Sequence, residues 1–365
     1  MSFENRIYNF APGPATLPEE VLLEASHDIL NWQKIGAGVM EVSHRSKAFM
    51  ACYEKALSDI TELMQIPSNY KVLFLQGGAM GQNAAIPMNL MGLGKVSSQA
   101  DFLVSGVWSE KSAKEATKYG NARVVANTKN EGFTYVPDVS TWDLSSDSAY
   151  IHLCTNETVG GVEIHQLPNV GSVPIVADIS SHMLSREMDV SQYGVLFGGI
   201  QKNIGPAGLT ILVVREDLIG HAMPITPTIW DWKTQVTSDS MINTPPTFAI
   251  YFAGKVFEWI KKQGGVKAIE VTNIQKAKLL YDILDQSALY EGKVAKNNRS
   301  RMNVTFFLRD ESLYEKFLQE SQELGLIGLK GHKSVGGIRA SIYNAMPLAG
   351  VKKLEEFLKD FERRA

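Results

Sequence analysis

Seven short apolar runs along residues 70–215 constrain the fold of this chain more than any other feature of its sequence. They lie in the segments KVLFLQGG, DFLVSGVW, ARVVAN, YIHLCTNET, PIVADISS, VLFGGIQK and LTILVVRE. Their apolar residues are consecutive rather than alternating with polar ones, which is typical of strands buried on both faces. Helical or looped stretches separate the runs, as crossovers between parallel strands require. The pattern predicts an α/β domain around a mainly parallel sheet.

Helical patterns flank these runs on both sides. Thr16 followed by Glu19 predicts a capping box and a helix beginning near Leu17, and a second apolar stripe begins at Phe49. A strongly helical region from Thr247 to about Ser287 is broken by QGG at 263–265. The segments MNVTFFLRD, ESLYEKFLQESQELG, GIRASIYN and LAGVKKLEEFLKDFERR then predict a compact α+β unit.

The length of the chain supports a division into two domains. Its 365 residues exceed the size at which single hydrophobic cores stop growing. We predict a large domain over residues 17–260 and a smaller α+β domain over residues 261–365. We expect the segment 1–16 to pack near the active site or against the small domain.

Composition narrows the possible partners and the compartment. The net charge is −3, and no strongly basic tract is present to neutralise a nucleic-acid backbone, so we expect no nucleic-acid partner. Cys52 and Cys154 form neither a disulfide framework nor a CxxC metal motif, and we predict no metal site. The first twenty residues do not resemble a leader, and no run of about 18 apolar residues occurs. We therefore expect a soluble, cytoplasmic protein with no membrane partner.

Polar and aromatic residues follow the ends of several predicted strands. In open α/β sheets ligands bind beyond the carboxyl ends of the strands, so we expect these residues to meet at one edge. The glycines of GGAMG precede a predicted helix and would leave backbone N–H groups free for an anion. The other candidates are Trp108, Thr155, Asn156, Glu157, Asp178 and Lys202.

Lys202 lies in a glycine-rich turn, GGIQKNIGPAG, between two apolar runs. Glycines allow another group to approach the backbone closely, which favours a ligand against this turn. The alternative is a solvated lysine in an ordinary strand connection, just as Asp178 could be a helix cap and Trp108 simple packing. Each residue alone leaves its alternative open.

Together these residues suggest a pyridoxal 5'-phosphate (PLP) site. The phosphate needs oriented N–H donors, the ring nitrogen needs an anion, the ring needs a stacking face and the aldehyde needs a lysine. Burial and neighbouring positive charge would lower the pKa of that lysine, as a nucleophile requires.

Ordered motifs along nearly the whole chain resemble those of the phosphoserine aminotransferase family. They are NFAPGPATLPEEVL, EVSHRSKAF, GGAMGQNAAIPMNL, CTNETVGGVEI, ADISSHMLSREMDVSQYGVLFGGIQKNIGPAGLTILVVRE, INTPPTFAIY and VGGIRASIYNAM. The resemblance implies the fold-type I PLP-transferase architecture, with a mainly parallel seven-stranded sheet flanked by helices. It also implies a homodimer with shared active sites.

The resemblance implies a role for each cofactor-binding residue. Lys202 would be the catalytic residue and would carry PLP as a Schiff base. Asp178 would pair with the pyridine nitrogen, Trp108 would stack on the ring and Thr155 would hydrogen-bond the phenolic oxygen.

Five more residues would hold the phosphate. Backbone groups of Ala79 and Met80 and the side chain of Gln201 would bind it within one subunit. Asn243 and Thr244 would reach it from the other subunit.

The resemblance also implies the substrates, L-glutamate and 3-phosphohydroxypyruvate, and a reversible ping-pong reaction in serine biosynthesis. It leaves open a second substrate, 3-hydroxy-2-oxo-4-phosphooxybutanoate of pyridoxine biosynthesis. Arg339 would bind the α-carboxylate, and His44, Arg45, His332 and Lys333 would form the basic pocket for the distal anion.

Two positions depart from the pattern of many relatives, which carry arginine in place of Met80 and Lys333. Met80 would cost little where backbone N–H groups bind the phosphate. Lys333 keeps a charge but loses bidentate geometry.

Three other functions remain alternatives. A serine–glyoxylate-type aminotransferase would not need the phosphate pocket. A cysteine desulfurase needs a mobile catalytic cysteine, which neither Cys52, on a core-like stripe, nor Cys154, near a strand end, resembles. A non-enzymatic ligand-binding protein could retain the fold, and it would lack the yellow colour of bound PLP.

Overall fold

The computed structural model describes residues 6–94 and 98–365, in which helices surround one large and three small sheets. The helices are α1 (Glu19–Asn31), α2 (Lys47–Leu63), α3 (Gly78–Leu90), α4 (Val107–Ala116), α5 (Trp232–Thr237), α6 (Thr247–Lys262), α7 (Gly265–Gln286), α8 (Tyr314–Glu323) and α9 (Leu348–Arg364). The strands are β1 (Tyr8–Asn9), β2 (Tyr70–Leu75), β3 (Gln99–Val104), β4 (Asn121–Asn127), β5 (Ile151–Cys154), β6 (Asn156–Glu157), β7 (Val162–Glu163), β8 (Ile175–Asp178), β9 (Val195–Gly199), β10 (Thr210–Arg215), β11 (Tyr290–Glu291), β12 (Asn303–Leu308), β13 (Leu326–Ile327) and β14 (Ile338–Ser341).

The seven predicted apolar runs form one seven-stranded sheet in the order β2-β10-β9-β8-β5-β3-β4. Only β10 runs antiparallel to its neighbours, β2 and β9. The predicted α/β class with a mainly parallel sheet is therefore confirmed.

Strand β10 shows why its apolar run does not alternate with polar residues. Ile211 and Val213 point into a core on one face of the sheet, whereas Leu212 and Val214 point into a second core on the other face. Successive side chains of a strand face opposite sides, so covering both faces demands a continuous apolar run.

A separate core lies in the carboxyl-terminal part of the chain. It joins α7, α8 and α9 to the antiparallel sheet β11-β12-β14, with Phe306 and Phe317 near its centre. Within α7, Val266 and Ile269 belong to the large core, whereas Leu280 belongs to the small one. The domain boundary at residue 260 stays a prediction.

The amino-terminal segment crosses both units. β1 pairs in parallel with β13, and Phe10 is buried in the small core. Farther along, the Ala15 N–H donates to the Gln201 carbonyl at 3.1 Å, beside Lys202. Residues 1–5 of the predicted segment 1–16 lie outside the described residues.

Two features are absent from the described residues. No helix within 6–94 and 98–365 is long and apolar enough to span a membrane. The same ranges hold no cluster of three or more His, Cys, Asp or Glu side chains suited to a metal ion.

Candidate active site

The carboxyl ends of three neighbouring strands bring the main candidates to one edge of the sheet. β8 ends at Asp178, which pairs with Cys154 at the end of β5 and with Phe197 of β9. Three residues after β9 ends comes Lys202. Because these strands are parallel, the loops that follow them lie side by side.

Lys202 is buried, with 9% of its surface exposed. Its Nζ hydrogen-bonds Thr158 Oγ1 and lies 5.3 Å from the centroid of the Trp108 ring. A Cβ atom on Gly13 would lie 3.3 Å from Lys202 Cγ, so the amino-terminal segment covers the lysine stem. Burial lowers the pKa of the Lys202 amine, and the nearby charge of Asp178 opposes this shift. The amine is therefore shielded from solvent and loses its proton more readily than that of an exposed lysine.

Asp178 places a buried carboxylate at the same edge. Its Oδ1 accepts hydrogen bonds from the Ser180 N–H at 2.9 Å and the Ser180 hydroxyl at 2.6 Å. Oδ2 accepts none from the part of the chain that the structure describes. A buried carboxylate with an open oxygen is suited to a cationic partner.

Trp108 stands in the first turn of α4. Its N–H donates to Glu157 Oε2 at 3.0 Å, and its buried indole Nε1 has no hydrogen-bond partner among residues 6–94 and 98–365. Lys111 Nζ lies 4.4 Å from the ring centroid. Trp108 and Lys202 are therefore in contact range at the sheet edge, as the sequence predicts.

The start of α3 exposes backbone donors where the sequence predicts an anion cradle, and its role in holding a phosphate stays a prediction. Gly77 precedes the helix with φ of 93°, a conformation that favours glycine. The N–H groups of Gly78, Ala79 and Met80 have no intrahelical acceptor in the first turn. Met80 is 47% exposed. Gln201 is half-buried beside Gly199, where a Cβ atom would lie 2.5 Å from its Oε1.

Two threonines of the same loop have different partners. The hydroxyl of Thr155 contacts His182 Nε2 at 2.5 Å and donates to the Asp178 carbonyl at 3.3 Å. The Thr158 hydroxyl contacts the Lys202 amine instead. Burial lowers the pKa of His182 to about 3, so its ring is neutral. The role assigned to Thr155 stays a prediction, but Thr158 is the threonine that lies at the lysine.

Arg339 of β14 brings a cation from the small unit into the site. It is buried, donates to the Thr158 carbonyl at 3.4 Å and has no hydrogen-bond partner for Nε within the described ranges. Burial lowers the pKa of its guanidinium. A buried guanidinium with unused donors and no counter-charge among the described residues is a suitable site for a carboxylate.

His332 and Lys333 lie in the loop before β14. The pKa of His332 is lowered first by burial and then by the charges of Arg339, Lys111 and Lys333. Arg339, Lys111 and Lys333 are therefore close enough to His332 to affect its titration, and Lys111 was not among the residues predicted from the sequence.

Four predicted residues are not joined to this cluster. Arg45 Nε donates to His44 Nε2 at 3.4 Å, and the Arg45 N–H donates to Ser43. Asn243 and Thr244 are exposed, and the Thr244 carbonyl accepts from Gln76 at 3.3 Å. Their roles stay predictions.

Thr158 and His182 were also not predicted from the sequence. Thr158 lies in the quoted motif CTNETVGGVEI, but only the folded loop shows which threonine faces the lysine. His182 follows Asp178 by four residues, and its contact with Thr155 spans 27 residues. No local pattern signals such a contact.

Comparisons with known proteins agree over almost the entire chain. The family model described as aminotransferase class-V matches residues 7–354. A curated phosphoserine aminotransferase of Paraburkholderia phymatum is 57% identical over 360 residues, which cover 98% of this chain and 99% of that protein.

Two solved structures also match over nearly the whole length of both chains. A phosphoserine aminotransferase solved to follow radiation damage of its Schiff base has a TM-score of 0.96 at 42% identity, covering 99% of this chain and 100% of its own. A PLP-bound phosphoserine aminotransferase from Trichomonas vaginalis has a TM-score of 0.91 at 38% identity, covering 97% of this chain and 100% of its own.

The fold, the buried lysine and the family model together define the class: the chain belongs to the class-V aminotransferases. The family within this class can also be stated, because the curated relative and both solved structures match nearly the whole chain and all three are phosphoserine aminotransferases. Within its class, the chain belongs to the phosphoserine aminotransferase family. The resemblance stated from the sequence motifs is confirmed.

Proposed function

We propose that this chain transfers the amino group of L-glutamate to 3-phosphohydroxypyruvate and releases 2-oxoglutarate and O-phospho-L-serine. The observation that carries the proposal is the buried Lys202 amine, which faces the Trp108 ring near the Asp178 carboxylate. The proposed role lies in serine biosynthesis. A reducing cytoplasm would keep Cys52 and Cys154 free, as they are in the structure.

PLP fits the residues that are present. The open N–H groups at the start of α3 suit its phosphate, and the free oxygen of Asp178 suits a protonated ring nitrogen. Trp108 offers a ring face, and Lys202 offers an amine for the aldehyde. Thr158, beside that amine, is the hydroxyl best placed for a polar group next to the aldehyde.

The protein residues divide the chemistry among them. When bound, PLP supplies an electron sink for the carbanion formed at the substrate α-carbon. Asp178 keeps a proton on the ring nitrogen. Lys202 Nζ would accept the α-proton of the amino donor, which its lowered pKa allows, and would pass it to the aldehyde carbon of the cofactor within the same half-reaction. The second half-reaction would run this transfer in the opposite direction. Thr158 Oγ1 holds the amine in place between these transfers.

Charge selects the substrates. Arg339 binds the α-carboxylate, because its buried guanidinium has unused donors. Lys333 and Lys111 supply positive charge for a distal phosphate or for the glutamate side-chain carboxylate, and the His332 ring beside them can donate a hydrogen bond to the same anion. A serine–glyoxylate-type enzyme would have no use for this charge.

A homodimer would complete the site. The four predicted residues that lie apart from Lys202 are His44, Arg45, Asn243 and Thr244. Arg45, Asn243 and Thr244 are exposed, and this exposure leaves them available to a second subunit. We propose that each active site takes its cofactor phosphate contacts at Asn243 and Thr244 from the partner subunit.

Borohydride reduction tests the proposal directly. The purified protein should be yellow, reduction should bleach the visible band, and peptide mass spectrometry should locate the reduced PLP adduct on Lys202. An adduct on another lysine, or none at all after incubation with PLP, would overturn the assignment.

A comparison of two amino donors distinguishes phosphoserine aminotransferase activity from serine–glyoxylate-type aminotransferase activity. O-phospho-L-serine should be a far better amino donor than L-serine with 2-oxoglutarate as acceptor. Equal use of the two donors would favour the serine–glyoxylate type of reaction.

A further inference from the structure

Glu157 is a fully buried carboxylate that the proposed chemistry does not use. It accepts three hydrogen bonds, all from the first turn of α4. The Trp108 N–H donates to Oε2 at 3.0 Å, and the Ser109 N–H and hydroxyl donate to Oε1 at 2.8 and 2.6 Å. The carboxylate therefore occupies the helix N-terminus, where backbone donors and the helix dipole favour an anion.

The fit around this carboxylate is tight. A Cβ atom on Gly106 would lie 2.2 Å from Glu157 Cδ, so the residue before the helix has no room for a side chain. Ser109 Oγ also accepts from the N–H groups of Ser105 and Gly106, each at 3.1 Å. The first turn of α4 is consequently fixed in one position relative to the loop after β5.

The indole of Trp108 depends on this fixed turn for its orientation. Its Nε1 has no hydrogen-bond partner within the described part of the chain, so no hydrogen bond of the ring itself sets its plane. The Trp108 N–H, however, is bonded to Glu157. Displacing that N–H would shift the ring relative to Lys202 Nζ, which lies 5.3 Å from the ring centroid.

The neighbours of Glu157 anchor its loop on both sides. Asn156 Nδ2 donates to Ser181 Oγ at 2.7 Å and to Asn303 Oδ1 at 2.9 Å. Thr158 contacts the Lys202 amine. One tripeptide therefore sets the distance between the lysine and the ring that faces it.

We infer that Glu157 is a positioning residue, which holds the first turn of α4 so that the Trp108 ring stacks on the cofactor opposite Lys202. This inference rests on the proposed function, since it concerns the ring of bound PLP. Glu157 thus affects cofactor binding by orienting Trp108, and not by the direct effect of its charge on the Lys202 amine.

A double-mutant cycle tests whether Glu157 acts through Trp108. Glu157→Gln keeps the shape but places an amide nitrogen against a backbone donor, so at least one hydrogen bond is lost. We expect it to weaken PLP binding to the apoprotein about tenfold and to reduce the circular dichroism of the bound cofactor. In a Trp108→Ala background the same change should weaken PLP binding by less than about twofold, because the ring is already gone.

Two further variants serve as a second test and as a control. Ser109→Ala removes one donor and retains the Glu157 charge, so it should reproduce part of the effect even if Glu157→Gln fails to fold. Glu110→Gln, on the same helix turn but ion-paired with Lys129 at the surface, should leave PLP binding unchanged.

The outcomes separate this inference from the proposed function. Equal weakening by Glu157→Gln in both backgrounds, or no weakening in either, overturns the positioning role. Failure of the unaltered protein to bind PLP instead overturns the proposed function.

Discussion

At the scale of single residues, Arg339 illustrates a conflict between stability and function. Its guanidinium is buried, makes one long hydrogen bond, to the Thr158 carbonyl, and forms no ion pair among the described residues. Desolvation of such a group is costly when no counter-charge compensates it. The residue is retained, in our interpretation, because the substrate carboxylate provides that compensation.

Replacing Arg339 by methionine should therefore separate the two properties. We expect Arg339→Met to raise the free energy of unfolding by about 1 kcal/mol, because a buried charge is exchanged for an apolar side chain. It should also raise the KM for L-glutamate about tenfold or more through loss of a charge-assisted hydrogen bond. Urea denaturation and steady-state kinetics measure the two effects.

The surface residue Arg309 provides the control for this prediction. It is exposed and pairs with Glu291 at 3.4 Å, so Arg309→Met should change neither quantity appreciably. A normal KM in Arg339→Met would contradict the role of Arg339 as the carboxylate site.

The two threonines of the loop after β5 allow a second residue-level prediction. Thr158→Val removes the hydroxyl beside the Lys202 amine and should lower kcat/KM for L-glutamate about tenfold. Thr155→Val leaves His182 Nε2 without its partner and should mainly lower the free energy of unfolding, by about 1–2 kcal/mol. The reverse pattern would support the role of Thr155 implied by the family resemblance.

These threonines also show how far a site can be predicted from sequence. Lys202 and Asp178 could be proposed because each follows an apolar run, and the carboxyl ends of parallel strands share one edge. Thr158 could not be chosen over Thr155, because the choice depends on which hydroxyl faces a lysine 44 residues away. The backbone path of the loop decides this, and no local pattern encodes it.

At the scale of elements, the start of α3 depends on a glycine that no other residue replaces easily. Gly77 has φ of 93°, and a Cβ atom there would lie 2.6 Å from the ring of Trp230. The proposed phosphate donors are the next N–H groups of this helix. Their direction depends on the Gly77 turn.

Gly77→Ala should consequently damage both stability and cofactor binding. We expect it to lower the free energy of unfolding by about 2 kcal/mol or more and to weaken PLP binding. Gly36→Ala is the matched control: Gly36 has φ of 81°, but a Cβ atom there would meet nothing within 4 Å. It should cost about 1 kcal/mol and leave PLP binding unchanged. Equal effects of the two variants would refute the role of the Trp230 contact.

Elements differ in how well the sequence predicts them. The seven strands of the large sheet were predictable because burial on both faces leaves continuous apolar runs. The capping box at Thr16 was wrong: its hydroxyl donates to the Asn9 carbonyl at 2.8 Å, and α1 begins at Glu19 after Pro18. Two-residue strands such as β1 and β13 leave no periodic signal, since they form through pairing between distant segments.

At the scale of the whole molecule, a buried ion cluster joins the two units. Glu163 of β7 accepts from Arg301 Nη2 at 2.6 Å and from the Arg301 N–H at 2.8 Å, just before β12. Arg301 also pairs with Glu270 of α7 at 2.9 Å, and Arg186 lies 3.5 Å from Glu163. These contacts hold Arg339, on the strand paired with β12, against the loop that carries Thr158.

The Glu163 cluster predicts a specific loss of stability in acid. Burial disfavours the Glu163 carboxylate, but Arg186 and Arg301 outweigh it and lower its pKa from 4.5 to about 2. The ionised form thus stabilises the fold fully above pH 4.5, by about 3 kcal/mol, and this contribution falls as the pH drops towards 2. Urea denaturation from pH 2.5 to 6 should show this slope in the unaltered protein and in the surface control Glu291→Gln. Glu163→Gln should be less stable at pH 6 with a flatter profile, and identical profiles would contradict the proposed linkage.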